Sequence, residues 1–528
     1  MMSSEATYKF IAFLLVATVV LELAGRRLRL PPATSLIIGG IVLALIPGIP
    51  SISLDPDLVM LVFLPPLLMS SAYFTVWSDF KRYIGGITSL ALGAVAFTTL
   101  AVGIVFHLLV PHFPWAVGFA LGAIVSPPDA VAASAILERL QLPSRITTLL
   151  EGESLVNDAS GLVLLRFAVA AAMTGTFSTV EALGSLAWVS TGGIAAGLLI
   201  GLVGLFVIRR LGNSDLVITT TLLLAVISYI AAEAIGSSGV LSTVATGLLL
   251  GWHQHGAFSA ETRVRAQAFW GILVFLLESL LFVLIGLSLR GVLERIGGLR
   301  HGLGELWLPL LAIVLTVILA RFVWMTGAGA GQLLLCGNRK RFDPSSAFAT
   351  TAIMSWAGMR GVVTLTGALS LPATFPGRDI ILVTAFAVII VTVLLQGSTL
   401  GSLASLLKII NPEETNSMKD NEAAAWRRMA EAQYRAIRSL AVGEDGAVKH
   451  PRLLEQYDHR AKVAASYESD RTTHDGIKSQ HFKAVLAAVK AGRTEILKMH
   501  RAGEIHDTVM RQLEHDLDLQ EMAAENRS

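Results

Sequence analysis

Charge is scarce in this sequence: Asp, Glu, Lys and Arg make up 15% of 528 residues, where a soluble globular chain carries about a quarter. The mean hydropathy is +0.64, and the apolar runs are too long for ordinary cores, which excludes a soluble multidomain protein. Cysteine is nearly absent. Cys336 stands alone, so no intrachain disulfide can form, and a lone thiol says little about function. The first apolar run lacks the basic leader and small-residue cleavage site of a signal peptide, so it is read as the first membrane span. Aromatics are 7% of the chain and sparse in the polar-motif segments described below, which argues against the aromatic-lined pocket of an organic-solute symporter. No His-containing metal motif or nucleophile constellation accompanies the acidic residues, which argues against an intramembrane hydrolase. The expectation is a protein that is not an enzyme and needs no cofactor.

What the chain does have is apolar stretches of bilayer length, about 20 residues each. Their positions predict an all-α polytopic membrane protein with about thirteen spans, near 8–24, 33–48, 57–74, 85–110, 113–137, 146–174, 182–208, 215–233, 238–252, 263–289, 305–336, 345–372 and 379–407. Basic residues alternate across the connecting loops. The odd loops carry 14, including Arg26, Arg82, Arg145, Arg210, Arg265 and Lys340; the even loops carry 4, namely Arg290, Arg295, Arg300 and Arg378. Cytoplasmic loops are enriched in Lys and Arg, so the N-terminus is expected outside and the C-terminus in the cytoplasm. Residues 411–528 hold 18 Lys/Arg and 20 Asp/Glu, nearly half of all the charge. The expected organisation is a membrane domain over 1–410 and a charged helical cytoplasmic tail over 411–528. Histidines between 450 and 515 permit pH sensing there without demonstrating it.

Charged side chains within spans cost about 2.5–3.5 kcal/mol each on insertion scales and are functional candidates. Three segments concentrate them. In AIVSPPDAVAASAIL, Pro127 and Pro128 must break the fifth span beside Asp129, and broken backbone at membrane depth belongs against protein or a cavity. In TTLLEGESLVNDASGLVLLRF, Ser154 and Asp158 are four residues apart on one helix face, with Glu151 in line, and Glu153 and Asn157 share the adjacent face. Such hard oxygen ligands suit a hard cation rather than zinc or copper. In IMSWAGMRGVVTLTGALSLP, Gly358 and Gly361 bracket Arg360, which must face a carboxylate or free backbone carbonyls. The fifth and twelfth spans run in opposite directions. Two broken helices of opposite orientation, one acidic and one basic, are the signature of an inverted-repeat transporter, and Asp129 and Arg360 can offset the half-helix ends. Glu278 and Arg321, on adjacent spans, are candidates for a structural ion pair. Glu233 is read as interfacial; Arg166 is left between Asp158 and lipid as partners.

The stretches EGESLVNDASGLVL, the Pro-Asp break at 127–129, LESLLFVLIGLSL and GMRGVV resemble sodium/proton exchangers of the cation/proton antiporter superfamily, in the NhaP and NHE branch. The resemblance covers about residues 8–407 and is most specific in EGESLVND. It implies that Asp158 is the carboxylate shared by cation and proton, that Asn157 accompanies electroneutral exchange, and that Glu153 and Ser154 help bind Na⁺ or organise the site. It gives Asp129 to the first broken helix and Arg360 to the second, with Arg360 paired to Glu153. Pro128 departs from the pattern, standing where some members have threonine, which bears on selectivity among Na⁺, Li⁺ and K⁺. The resemblance further implies thirteen spans, a moving core domain and a homodimer in the inner membrane serving pH homeostasis.

The expected function is therefore exchange of Na⁺ for H⁺ by alternating access. Desolvation and a neighbouring acid both favour the neutral form of a buried carboxylate, so one site can hold a proton or a cation in turn. A potassium-selective antiporter or a cation channel with similar ligands is the alternative.

Overall fold

A computed structural model describes residues 4–47, 56, 59–129, 143–175, 179–295, 299–336, 344–407, 412–442, 448–469 and 471–525. The chain divides into two compact units, Met1–Ile410 and Asn411–Ser528. Every extended element among the described residues is a helix, and the only strand-like contact is an isolated bridge between Val442 and Val448.

In the first unit, seven described helices are long and apolar enough to cross a membrane: Ile84–Leu109, Arg145–Thr174, Gly184–Ile208, Ser214–Ala234, Ala260–Val292, Leu306–Gly329 and Arg378–Leu407. Shorter apolar helices occupy Pro32–Leu45, Val59–Phe74 and Trp115–Val125. The first expected span falls within Ser4–Leu28 and the ninth within Gly239–Ala257. The second half of the fifth, from 130 to 137, lies outside the described residues. These helices are apolar on their outward faces as well. Leu199, Leu202, Val203 and Phe206 are all more than half exposed along a single helix, as a lipid-facing surface requires.

Lipid gives no hydrophobic drive to helix pairing, so close backbone approach through small residues takes its place. Gly40 and Gly286 lie against each other where Pro32–Leu45 crosses Ala260–Arg295; a Cβ on Gly286 would be 2.5 Å from the Ile37 carbonyl oxygen. A Cβ on Gly197 would be 2.1 Å from the Ser242 carbonyl oxygen. The Thr246 hydroxyl donates to the Gly197 carbonyl at 2.8 Å and closes that contact. Gly197→Val is thus expected to force two backbones apart and destabilise the protein by at least about 1–3 kcal/mol. Gly271→Ala, with open space around its Cα, should be neutral or gain up to about 1 kcal/mol of helix propensity. Melting curves in detergent check both, and equal midpoints for the two variants would rule out the close-contact argument.

Among the described residues, one helix stops at a proline pair and another is interrupted midway. Trp115–Val125 stops just before Pro127-Pro128, and Pro344–Trp356 is separated from Val362–Leu369 by non-helical residues around Gly358 and Gly361. Among the described residues, three segments take the wider π geometry: Val59–Phe63, Ser89–Ala94 and Thr392–Gln396. Single π turns inside α-helices are frequent at functional sites.

The second unit contains the helices Pro412–Ala441, Pro451–Ser469, Arg471–Arg501 and Asp507–Glu525. The first packs on the second and the third on the fourth. Arg493 joins the last pair, 2.6 Å from both Asp518 and Glu521. His500 hydrogen-bonds Asp507 and lowers the pKa of its carboxyl.

Candidate cation and proton site

Proline has no amide hydrogen and disfavours helix in the residue before it, so the fifth span opens at 126–129 as its sequence requires. Several of the freed backbone groups find partners. The Asp129 amide donates to the Met359 carbonyl at 2.7 Å. The Asn157 side-chain amide donates to the Pro128 carbonyl at 2.6 Å. Pro127 packs on Gly161, where a Cβ would come within 2.3 Å of the proline ring. The first break is therefore seated on two others, the second break and the helix Ser144–Thr174.

The second break carries Arg360, 1% exposed. Its Nε donates to the Val125 carbonyl at 2.6 Å and its Nη1 to the Gly358 carbonyl at 3.0 Å, while its own amide donates to the Thr392 hydroxyl at 3.1 Å. Val125 is the last residue of the first broken helix, so the guanidinium caps a negative helix end. Asp129 supplies the converse. Its carboxylate lies over Gly361, where a Cβ would be 1.8 Å from Oδ2, and Gly361 is the N-cap of Val362–Leu369. Each break thus places a charge against the helix end of the other.

On the helix Ser144–Thr174, Glu153, Asn157 and Asp158 are buried, while Ser154 and Glu151 are partly so. Glu153 makes a bidentate pair with Arg321, at 2.6 and 2.7 Å, and Arg321 Nε donates to the Met354 carbonyl at 3.0 Å. This corrects two expectations. The partner of Glu153 is Arg321, not Arg360, whose guanidinium is bonded to the carbonyls that the helix breaks release. Arg321, expected beside Glu278, instead has its guanidinium fork on Glu153. Gly358 makes room for it, since a Cβ there would be 2.5 Å from Arg321 Cδ.

The Asp158 carboxylate accepts no hydrogen bond among the described residues, and Asp129 is near enough to act on it as a like charge. The buried Asn157 Oδ1 also has no hydrogen-bond partner there. Ser160 fixes this turn, its hydroxyl 2.5 Å from the Ala91 carbonyl in the π segment Ser89–Ala94 and 2.8 Å from the Asn157 carbonyl. Sequence reasoning missed Ser160 and Thr392, because a span hydroxyl gives no signal until its neighbour is known. Arg166, undecided from sequence, pairs with Glu233 at 2.9 Å.

A buried carboxylate with no hydrogen-bond donor among the described residues, beside a broken helix in a membrane unit whose described elements are helices, points to a secondary cation transporter. Residues 11–406 match the family described as sodium/hydrogen exchanger, transmembrane, and the chain belongs to that family. It is 35% identical over 379 residues to the sodium, potassium, lithium and rubidium/H⁺ antiporter of Bacillus pumilus, a match covering 69% of this chain and 56% of that protein. It is 30% identical over 525 residues to an uncharacterized Na⁺/H⁺ exchanger of Mycobacterium tuberculosis, covering 97% of this chain and 95% of that one. The fold is similar to that of the sodium proton antiporter MjNhaP1 from Methanocaldococcus jannaschii, with a TM-score of 0.61 at 23% identity over 78% of this chain and all of that one.

Proposed function

We propose that the protein exchanges Na⁺ for H⁺ by alternating access, with cation and proton competing for Asp158. The observation that carries this reading is the contrast between two buried acids on one helix. Glu153 has its charge matched by Arg321, whereas Asp158 accepts no hydrogen bond among the described residues and lies near Asp129. Asp158 is the group whose charge must be met by something that comes and goes. Asn157 Oδ1 and Ser154 supply neutral oxygens beside it, and Asp129 completes an oxygen-only set suited to an alkali cation. Glu153, held by Arg321, organises the site rather than carrying the ion. Pro127, Pro128 and Arg360 hold the two breaks in register.

The same reading extends to thirteen spans with inverted repeats, a homodimer in the inner membrane, an external N-terminus and a cytoplasmic tail over 411–528. The alternation of basic loops and the likeness to MjNhaP1 support it. Transport of Li⁺ and K⁺ beside Na⁺ is part of the proposal, supported by the printed specificity of the Bacillus pumilus relative.

Exchange is expected to be electroneutral. Asp158 bears the same net charge with a proton as with Na⁺, and Asn157 beside it cannot titrate. Proteoliposomes with an internal pH dye, given Na⁺, Li⁺ or K⁺ in turn, test the activity. Setting a potential with a thiocyanate gradient, which adds no alkali cation, tests the stoichiometry. One net charge moved through 100 mV is worth about 2.3 kcal/mol. A flux accelerated several-fold by the potential would mean that a second acid carries protons; no cation-driven proton flux at all would overturn the function itself.

A further inference from the structure

Beyond Asp158, the helix Ser144–Thr174 borders a cavity of about 660 Å³. Its wall on this helix includes Leu162, Arg166 and Val169. Steps of four, four and three from Asp158 keep these residues on the carboxylate's own face. The opposite wall is formed by Tyr229 and Glu233 of Ser214–Ala234, and Pro372, just past the second broken helix, also borders it. Leu162, which lines the cavity, is one helical turn from Asp158. Across the cavity Arg166 Nη2 is 2.9 Å from Glu233 Oε2, with side-chain exposures of 52% and 34%. The other oxygen of Glu233 accepts the Gly239 amide at 3.1 Å, which ties it to the start of the next helix.

We propose that this cavity is the approach to Asp158 from the face at which Ser144–Thr174 ends, that Leu162 is its apolar plug, and that Arg166–Glu233 is the latch holding its two walls together. The inference rests on the exchange function proposed above. An alternating-access exchanger must hold one approach shut while the other is open. Two ion pairs described on this helix differ in the way such a division of labour requires. Glu153–Arg321 is buried and bidentate, and breaking it would strand a charge in every cycle. Arg166–Glu233 is half-exposed, single and on the cavity wall, so neither charge is stranded in packed protein when it parts. Glu233, tethered to Gly239, is the fixed half, and Arg166, on the helix that carries Asp158, is the half that departs.

The protein has a single native thiol, so a Cys336→Ser background permits a cross-linking test. In Arg166→Cys/Glu233→Cys, a bifunctional methanethiosulfonate spanning the pair is expected to cut exchange at least about tenfold, with reductant restoring it and a monofunctional reagent leaving it intact. Full exchange by the cross-linked protein overturns the latch. Separately, Glu233→Gln and Arg166→Gln are expected to lower the sodium KM measured from that face by about three- to five-fold, the size of a half-exposed pair, with maximal rates within about twofold. The charge-swapped Arg166→Glu/Glu233→Arg should restore the original KM. Unchanged KM in both single variants also overturns the latch. Asp158→Asn distinguishes the two levels: if it is inactive while the latch variants behave as wild type, only the latch fails, and if it exchanges normally, the function proposed above fails.

Discussion

Arg321→Ala is expected to lower the stability of the solubilised protein by about 3–5 kcal/mol, the usual consequence of removing one partner from a buried ion pair. The guanidinium of Arg321 is 3% exposed and the carboxylate of Glu153 1%. Without its partner, Glu153 would remain charged in a dry place or take up a proton, and the carboxylate helix would lose its tie to the Met354 carbonyl as well. Exchange should fall with stability, because Glu153 is one turn from Asn157 and Asp158. Arg321→Lys should rescue only part of the loss, since an ammonium cannot reproduce the two parallel bonds of the fork. Glu153→Gln combined with Arg321→Met should recover much of the melting temperature without recovering transport, because no charge is then stranded. A melting curve for Arg321→Ala that overlays the wild type would refute the pairing.

The second large effect concerns function without stability. Asp158→Asn is expected to reduce sodium-driven proton flux to background while leaving insertion and yield intact. The carboxylate accepts no hydrogen bond among the described residues, so the amide breaks none, and it relieves repulsion from Asp129. The melting temperature should therefore hold or rise. Sodium should stabilise the wild type by mass action, since a ligand that binds only the folded state shifts the folding equilibrium. That sodium-dependent shift should vanish in Asp158→Asn. A variant that keeps either the flux or the shift would move the ion site to another carboxylate.

Backbone chemistry made the breaks legible in the sequence. Pro127-Pro128 and Gly358-Met359-Arg360-Gly361 interrupt helices for local reasons, and the interruptions fall there. The clustering of Glu153, Asn157 and Asp158 was legible too, because three and four residue spacings fix helix faces without knowledge of neighbours. Partners across helices were not legible. Arg321 was matched to Glu278 because their spans are adjacent in sequence, but adjacency in the chain does not set adjacency in the bundle. Arg360 was matched to Glu153 on a resemblance, yet the carbonyls of Val125 and Gly358 receive its guanidinium. The π segments have no sequence signature of their own, so the contact of Ser160 with Ala91 was out of reach.

The bond between Glu153 and Arg321 joins residues 168 positions apart. Chains grow at about 5–20 residues per second, so Glu153 is synthesised roughly ten to thirty seconds before its partner. Arg360, which ties the second break to the first, and Thr392, which accepts the Arg360 amide, come later still. During that interval the nascent chain contains a helix with several acids and lacks the arginine that later pairs with Glu153. The acidic segment is therefore the point at which biogenesis is most exposed. Until the eleventh and twelfth spans arrive, it must wait at the insertion machinery or in a watery recess of the unfinished bundle. Ribosome stalling or premature termination between residues 160 and 320 should then yield products that membrane proteases clear faster than fragments ending before residue 150.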